Sequence, residues 1–313
     1  HYLDKIYGES DLLKMIKEKE GEMVDCSKER KNEIQEDIKK INDVIEKIKN
    51  KKKEIISKNK KLIRDDGKLI LSCTYSLDNG YIYPTLVALK SLVMNVGVNT
   101  FYNIYVLVSP DFTEENKIIL MDVEESYKEH SKIFIINMGN KYQGIDTNVK
   151  IPTPAYYRLD LQNLLPDVDR IIHLDGDTLV FQDLSDLIFL DMKGNYILGF
   201  IDENVNGLKK YGIENATYIC SGVILIDLAA LRKKNICLKY KEFIQKNLGN
   251  LDQHDQTVMN AVCHGKISTL PPKFGMWNFK TFEDFQNYLE YTKLKYNKKE
   301  LLLAYELPGI LHY

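Results

Sequence analysis

Asp175 and Asp177 stand at the end of an apolar run, Arg170-Ile-Ile-His-Leu-Asp-Gly-Asp-Thr-Leu-Val-Phe181, where two acids can present a divalent cation to a phosphorylated ligand. Ile171, Ile172 and Leu174 read as a buried strand, and Leu179, Val180 and Phe181 resume the apolar pattern after Thr178. Carboxylates between such runs are costly to desolvate unless something cationic neutralises them. Gly176 allows a sharp turn or the close approach of a ligand. Hard carboxylate oxygens suit Mg2+ or Mn2+, and those ions suit the oxygens of a diphosphate. Taken alone the Asp-x-Asp triplet is a weak signal, because such pairs occur in many acidic loops.

To act, the pair needs a sheet that delivers it to a crevice. From Lys68 onward the chain alternates strands and helices: a strand over Leu69 to Thr74, a helix over Pro84 to Asn95 with Pro in its first turn, and a strand over Ile104 to Ser109. A helix over Thr113 to His130 and a strand over Lys132 to Asn137 follow. Repeated strand-helix-strand units predict an α/β domain with a mostly parallel sheet covered on both faces. Ligands of such sheets bind at the carboxyl ends of the strands, near the switch in strand order. Asp78, after the first strand, would then share one crevice with Asp175 and Asp177. Neither a Gly-x-Gly-x-x-Gly run nor a Walker-type loop is present, which argues against dinucleotide and P-loop chemistry.

Composition bounds the rest. A chain of 313 residues with 44% hydrophobic content can bury a large core, and a net charge of −2 offers no drive towards nucleic acid. Cys26, Cys73, Cys220, Cys237 and Cys263 are scattered, odd in number and free of any Cys-x-x-Cys pair, so neither a disulfide framework nor a zinc site is expected. With no bilayer-spanning apolar run and no secretory signal, the expected location is cytoplasmic.

Residues 1–66 differ in kind from 67–313, and Asp65-Asp66-Gly67 marks the boundary as a turn. Ile34, Ile38, Ile41, Ile45, Ile48, Ile55 and Leu62 fall on steps of three and four, interrupted by Lys52 and Asn59, which is a heptad seam. The expectation is a charged N-terminal helix acting as a coiled-coil arm that makes the protein a homodimer or spaces it from a partner or membrane, with a helix folded back on the catalytic domain as the alternative. The basic run from Lys47 to Arg64 leaves open peripheral contact with an anionic membrane.

Four ordered segments carry a resemblance: Pro154-Ala-Tyr-Tyr-Arg-Leu159, Leu165 to Thr178, Cys220-Ser-Gly-Val-Ile-Leu-Ile-Asp-Leu228 and Asp255-Gln-Thr-Val-Met-Asn260. Together they resemble glycosyltransferase family 8, from about Lys68 to the end of the chain. The resemblance implies a GT-A fold, a Rossmann-like mixed central sheet flanked by helices. It also implies retaining transfer of a hexose, glucose or galactose, from a UDP-sugar with Mn2+, with Mg2+ as the alternative ion.

The resemblance also implies roles. Thr74, Asp78 and Asn79 match the region that holds uridine, where an acid can accept a hydrogen bond from the uracil imide. Arg158 matches the arginine that touches phosphate and donor sugar, a role suited to its fixed, always charged fork. Asp175 and Asp177 hold the cation, Gly176 lies between them, and Ser221 and Gly222 match a short loop beside the donor sugar, although Cys220 stands where relatives often have Asn. Asp255 and Gln256 match the pair near the anomeric carbon. In Pro308-Gly-Ile-Leu-His-Tyr313, His312 matches the histidine that completes the cation's ligands, and the family pattern continues with a Gly and a diphosphate-gripping Lys. His173 is expected to point away from the cation, as strand residues alternate faces. The acceptor is a hydroxyl of a glycan, a lipid-linked sugar or a protein.

Two other readings remain open at this level. Asp175-Gly-Asp-Thr-Leu179 nearly matches the opening motif of haloacid-dehalogenase phosphatases. A sugar-nucleotide-binding or coiled-coil scaffold without turnover is the non-enzymatic alternative.

Overall fold

The apolar strand runs assemble into two sheets in a computed structural model that describes residues 9–24, 27–145, 153–203 and 207–313. Cys26 lies outside the described residues. By its contacts the chain divides into two compact units, His1–Ile63 and Arg64–Tyr313.

The first unit is a helical hairpin. Helix α1 spans Glu9–Glu22 and α2 spans Lys28–Lys58, whose start is capped by the Ser27 side chain accepting from the Arg30 N–H. Glu9 meets Lys49 and Lys52 at one end while Lys19 meets Asp37 at the other, which makes the pair antiparallel. Leu12 and Ile16 are buried against Ile41, Val44 and Ile45, with Met15, Ile38 and Ile48 packed around them. From Ile38 to Ile48 the expected heptad seam is therefore occupied within the chain, by α1.

The second unit is built on a seven-stranded sheet of order β3-β2-β1-β4-β7-β6-β8. Its strands are β1 (Leu69–Leu77), β2 (Thr100–Val108), β3 (Ser131–Asn137), β4 (Arg170–Leu174), β6 (Ile197–Ile201), β7 (Ile219–Asp227) and β8 (Ile267–Thr269). All neighbouring pairs are parallel except those made by β7, which runs against β4 and β6. The sheet is thus mixed, with β7 as its single reversed strand. Helices α3 (Ile82–Met94) and α4 (Glu114–Ser126) connect the first three strands. Helix α4 stops at Ser126, short of the predicted His130, because Tyr127 to His130 form a turn closed by the His130 N–H on the Tyr127 carbonyl.

A second, three-stranded sheet places β10 (Ile310–His312) between β5 (Thr178–Val180) and β9 (Met276–Trp277). This small sheet brings the end of the chain to the acids: His312 is in register with both Thr178 and Trp277. Aromatic residues of the last third of the chain pack beside it, with Phe285 and Phe274 fully buried and Phe282 exposed.

The sheet itself explains where a ligand can sit. Strands β2 and β4 lie on opposite sides of β1, so the order switches at the carboxyl end of β1. Asp78 follows β1 and Asp175 follows β4, on either side of that switch.

Candidate active site

Asp175, Asp177 and His312 converge although 135 residues separate the last two. Their ligand atoms all lie within 4.8 Å of one another. His312 Nε2 is 3.1 Å from Asp177 Oδ1 and 3.9 Å from Asp175 Oδ2. Two devices hold this geometry. The Asp175 N–H donates to the Gly222 carbonyl at 2.7 Å, extending the β4–β7 ladder past Leu174, and the Tyr313 N–H donates to the Asp177 carbonyl at 3.1 Å.

Both glycines in the site are required by space. A Cβ on Gly176 would stand 2.3 Å from Thr85 Oγ1 and 2.9 Å from the Tyr81 ring. One on Gly222 would stand 2.4 Å from His312 Cε1 and 2.7 Å from Asp175 Oδ2. The site's own side chains therefore close around both glycines, and its donors are two hard carboxylates and an imidazole. That set fits a divalent cation of the Mn2+ or Mg2+ kind.

Arg158 enters from the 3-10 helix Thr153–Asp160 and is buried. Its Nη2 donates to Asp175 Oδ1 at 2.7 Å, its Nη1 to the Ser221 carbonyl at 2.6 Å and its Nε to the Ala155 carbonyl at 3.0 Å. Its Nε is also 3.2 Å from Asp255 Oδ2, an ion-pair distance without hydrogen-bond alignment. Asp160, by contrast, pairs with Lys141 and Cys237. Burial opposes the charge of Asp175, yet Arg158 and then His173 hold its carboxyl well below the usual range. Asp255 has the opposite balance: burial pushes it up to about 6, assisted by Asp175 and countered by Arg158. Two neighbouring acids are thus driven apart by their surroundings, a pattern that marks functional sites.

Asp255 and Gln256 sit in the first turn of helix His254–Val262, whose cap residue Gln253 makes no side-chain cap, so Asp255 is free to face Arg158. The Gln256 amide is held at both ends. Its Oε1 accepts from the Ser221 N–H at 2.9 Å and its Nε2 donates to Asp202 Oδ2 at 3.1 Å. Asn260, one turn on, bonds the N–H and carbonyl of Ile219 and the Gln256 carbonyl, locking helix to β7.

The residues around β1 are arranged differently. Thr74 is fully buried within β1, opposite His173 in register. Asp78 caps the 3-10 turn Asn79–Tyr81 by accepting from the Tyr81 N–H at 3.2 Å. Asn79 is engaged with the start of α4: its Oδ1 accepts from the Thr113 N–H and Asn116 Nδ2, and its Nδ2 donates to the Asp111 carbonyl. The structure gathers Arg158, Asp175, Asp177, Ser221, Gly222, Asp255, Gln256 and His312 by direct contacts, and Tyr81 links Asp78 to them.

Several participants escaped the sequence reading. Tyr81 donates its hydroxyl to Asp177 Oδ2 at 2.9 Å. Trp277 stacks on the His312 ring at 4.9 Å and 17°, a consequence of their register in the small sheet. His173 does not point away, as its Nε2 lies 3.2 Å from Asp175 Oδ1. Strand alternation predicts this once applied correctly, since residues two apart share a face. Burial and the nearby Arg158 lower the His173 pKa to about 4, so the ring is neutral and donates its Nε2–H to the carboxylate. Burial also disfavours charge on His312, but Cys220, Asp177 and Asp175 raise its pKa well above the ordinary value.

The family model described as glycosyl transferase family 8 matches residues 72–313. The chain belongs to this family. Its relatives include General stress protein A of Bacillus subtilis, 29% identical over 180 residues, which cover 56% of this chain and 61% of that protein. A lipopolysaccharide 1,2-glucosyltransferase of Escherichia coli is 21% identical over 239 residues, 73% of this chain and 69% of the enzyme. Among solved structures, the galactosyltransferase LgtC in complex with donor and acceptor sugar analogues superposes with a TM-score of 0.63 at 22% identity, covering 78% of this chain and 87% of that one. The fold is therefore GT-A, and family membership makes the chain a glycosyltransferase, in place of the phosphatase reading of Asp175-x-Asp177. Among the described residues no helix is long and apolar enough to cross a membrane.

Proposed function

We propose that this family 8 chain is a retaining hexosyltransferase that moves glucose or galactose from a UDP-sugar to an acceptor hydroxyl, with a divalent cation, Mn2+ in the first instance, held by Asp175, Asp177 and His312. The observation that carries the proposal is the convergence of those three side chains at a switch point of the sheet, with a buried arginine on Asp175. A bound cation would neutralise charge on the diphosphate as UDP leaves.

The side chains supply the remaining chemistry. Arg158 sets a permanent positive charge beside the diphosphate position, in a buried setting where it acts more strongly than in water. Its bonds to Ala155, Ser221 and Asp175 fix it before substrate arrives, so little reorganisation is needed. Gln256, clamped by Ser221 and Asp202, presents a fixed amide where positive charge would grow on the anomeric carbon, and the Asp255 carboxylate lies beside Arg158. Attack by the acceptor hydroxyl on the face that UDP vacates preserves the anomeric configuration. On this reading Asp78 and Asn79 border the uridine, with Thr74 buried in β1, and Gly176, Ser221 and Gly222 lie beside the diphosphate and sugar. The acceptor is a glycan, a lipid-linked sugar or a protein hydroxyl. A lipopolysaccharide glucosyltransferase among the relatives supports a hexose donor and a saccharide acceptor.

Calorimetric titration of UDP with and without Mn2+ tests the binding half of the proposal. Tight binding only with the ion, abolished in Asp177→Ala, is expected; equal binding in its absence would remove the cation from the account.

A further inference from the structure

A histidine that gives Nε2 to a cation must carry its proton on Nδ1, and in metalloproteins that N–H is held by an acceptor which fixes tautomer and ring orientation. The atom facing Nδ1 of His312 is the sulfur of Cys220, 3.7 Å away. Cys220 lies on β7, the reversed central strand, and cysteine and histidine are only 4% and 6% exposed. The sulfur is itself located by the Gly222 N–H, which donates to it at 3.3 Å. The ring is located by Trp277 stacked on its face and by Phe200 edge-on at 6.0 Å. His312 thus has one orientation, with Nε2 towards the two carboxylates and Nδ1 towards the thiol.

We propose that Cys220 is a positioning residue for the cation site: its sulfur accepts the Nδ1–H of His312 and so leaves Nε2 unprotonated and aimed at the ion. The inference rests on His312 being a cation ligand. The sulfur offers a soft acceptor to Nδ1, held beside the ring by the Gly222 N–H.

The experiment compares wild type, Cys220→Ala, Cys220→Ser and His312→Ala by titration with Mn2+. Binding is read from quenching of Trp277, the single tryptophan of the chain, which stacks on the ligand ring. Cys220→Ala is expected to weaken Mn2+ binding about tenfold, and serine, which restores an acceptor at that position, to recover most of the loss. In the Mg2+-saturated protein labelled with 15N-histidine, wild-type His312 shows a protonated Nδ1 and Cys220→Ala a mixture of tautomers. A merely structural role for the thiol would shift the melting temperature and leave the tautomer alone.

Wild-type Mn2+ affinity in Cys220→Ala, or serine binding no better than alanine, would overturn the proposal. Unchanged affinity in His312→Ala would overturn the cation-site reading and this inference with it. Loss in His312→Ala alone removes only the role of Cys220.

Discussion

Tyr81 donates its hydroxyl to Asp177 Oδ2 at 2.9 Å, across 96 residues of sequence, and so links the end of β1 to the acid that follows β4. The same ring lies against Gly176, and Asp78 caps the turn that aims it. One carboxylate oxygen of Asp177 is thereby occupied by Tyr81 while the other faces His312.

Replacing Tyr81 by Phe removes that bond without touching the core, since Tyr81 is 37% exposed. The expected outcome is about tenfold weaker Mn2+ binding with an unchanged melting temperature, as for other partners that orient a metal ligand. Titration by Trp277 quenching checks it.

Gly222→Ala tests the space in the site. The new methyl would fall 2.4 Å from His312 Cε1 and 2.7 Å from Asp175 Oδ2. Two proposed ligands must then move, and a displacement near 1 Å costs on the order of a hundredfold in rate. Turnover should fall by at least that factor while circular dichroism reports an intact fold.

Asp255 sets a pH dependence. Its folded pKa of about 6 lies above the ordinary 3.8, so between those values the folded chain holds a proton that the unfolded chain has lost. The stabilising contribution of this group therefore falls as pH rises from about 4 to 6 and stays lost above it. With the ionised form as the one that acts beside Arg158, kcat/KM should climb through pH 6. Asp255→Asn should flatten that limb and lower turnover, yet melt no lower than wild type above pH 6. Rate profiles and thermal scans between pH 5 and 8 decide both points.

The local pieces of this site were legible because each is written in a short stretch of chain. Asp175 and Asp177 could be named from residue types at the end of an apolar run, whereas Arg158, the Asp255-Gln256 pair and His312 could be named only through the resemblance to glycosyltransferase family 8. What joins them is long-range and leaves little trace in sequence. Nothing near His312 announces Trp277 or Cys220, since the first reaches it through the register of the small sheet and the second from a strand of the large one. The reversal of β7 is similar: its continuous burial reads the same in either direction. The heptad seam of α2 was visible, but its occupant was not, because the short amphipathic α1 could pack there as well as a second chain could. His173 was readable and was misassigned, since residues two apart on a strand share a face.

The central claim is that the Asp175, Asp177 and His312 site drives sugar transfer. Its most direct test is UDP release from a panel of UDP-sugars with Mn2+, run beside EDTA and Asp177→Ala. The account predicts release from UDP-glucose or UDP-galactose that EDTA abolishes and that Asp177→Ala lowers by about three orders of magnitude, corresponding to several kcal/mol of lost charge stabilisation. Binding of UDP without any release, or release indifferent to EDTA and to Asp177→Ala, would contradict it.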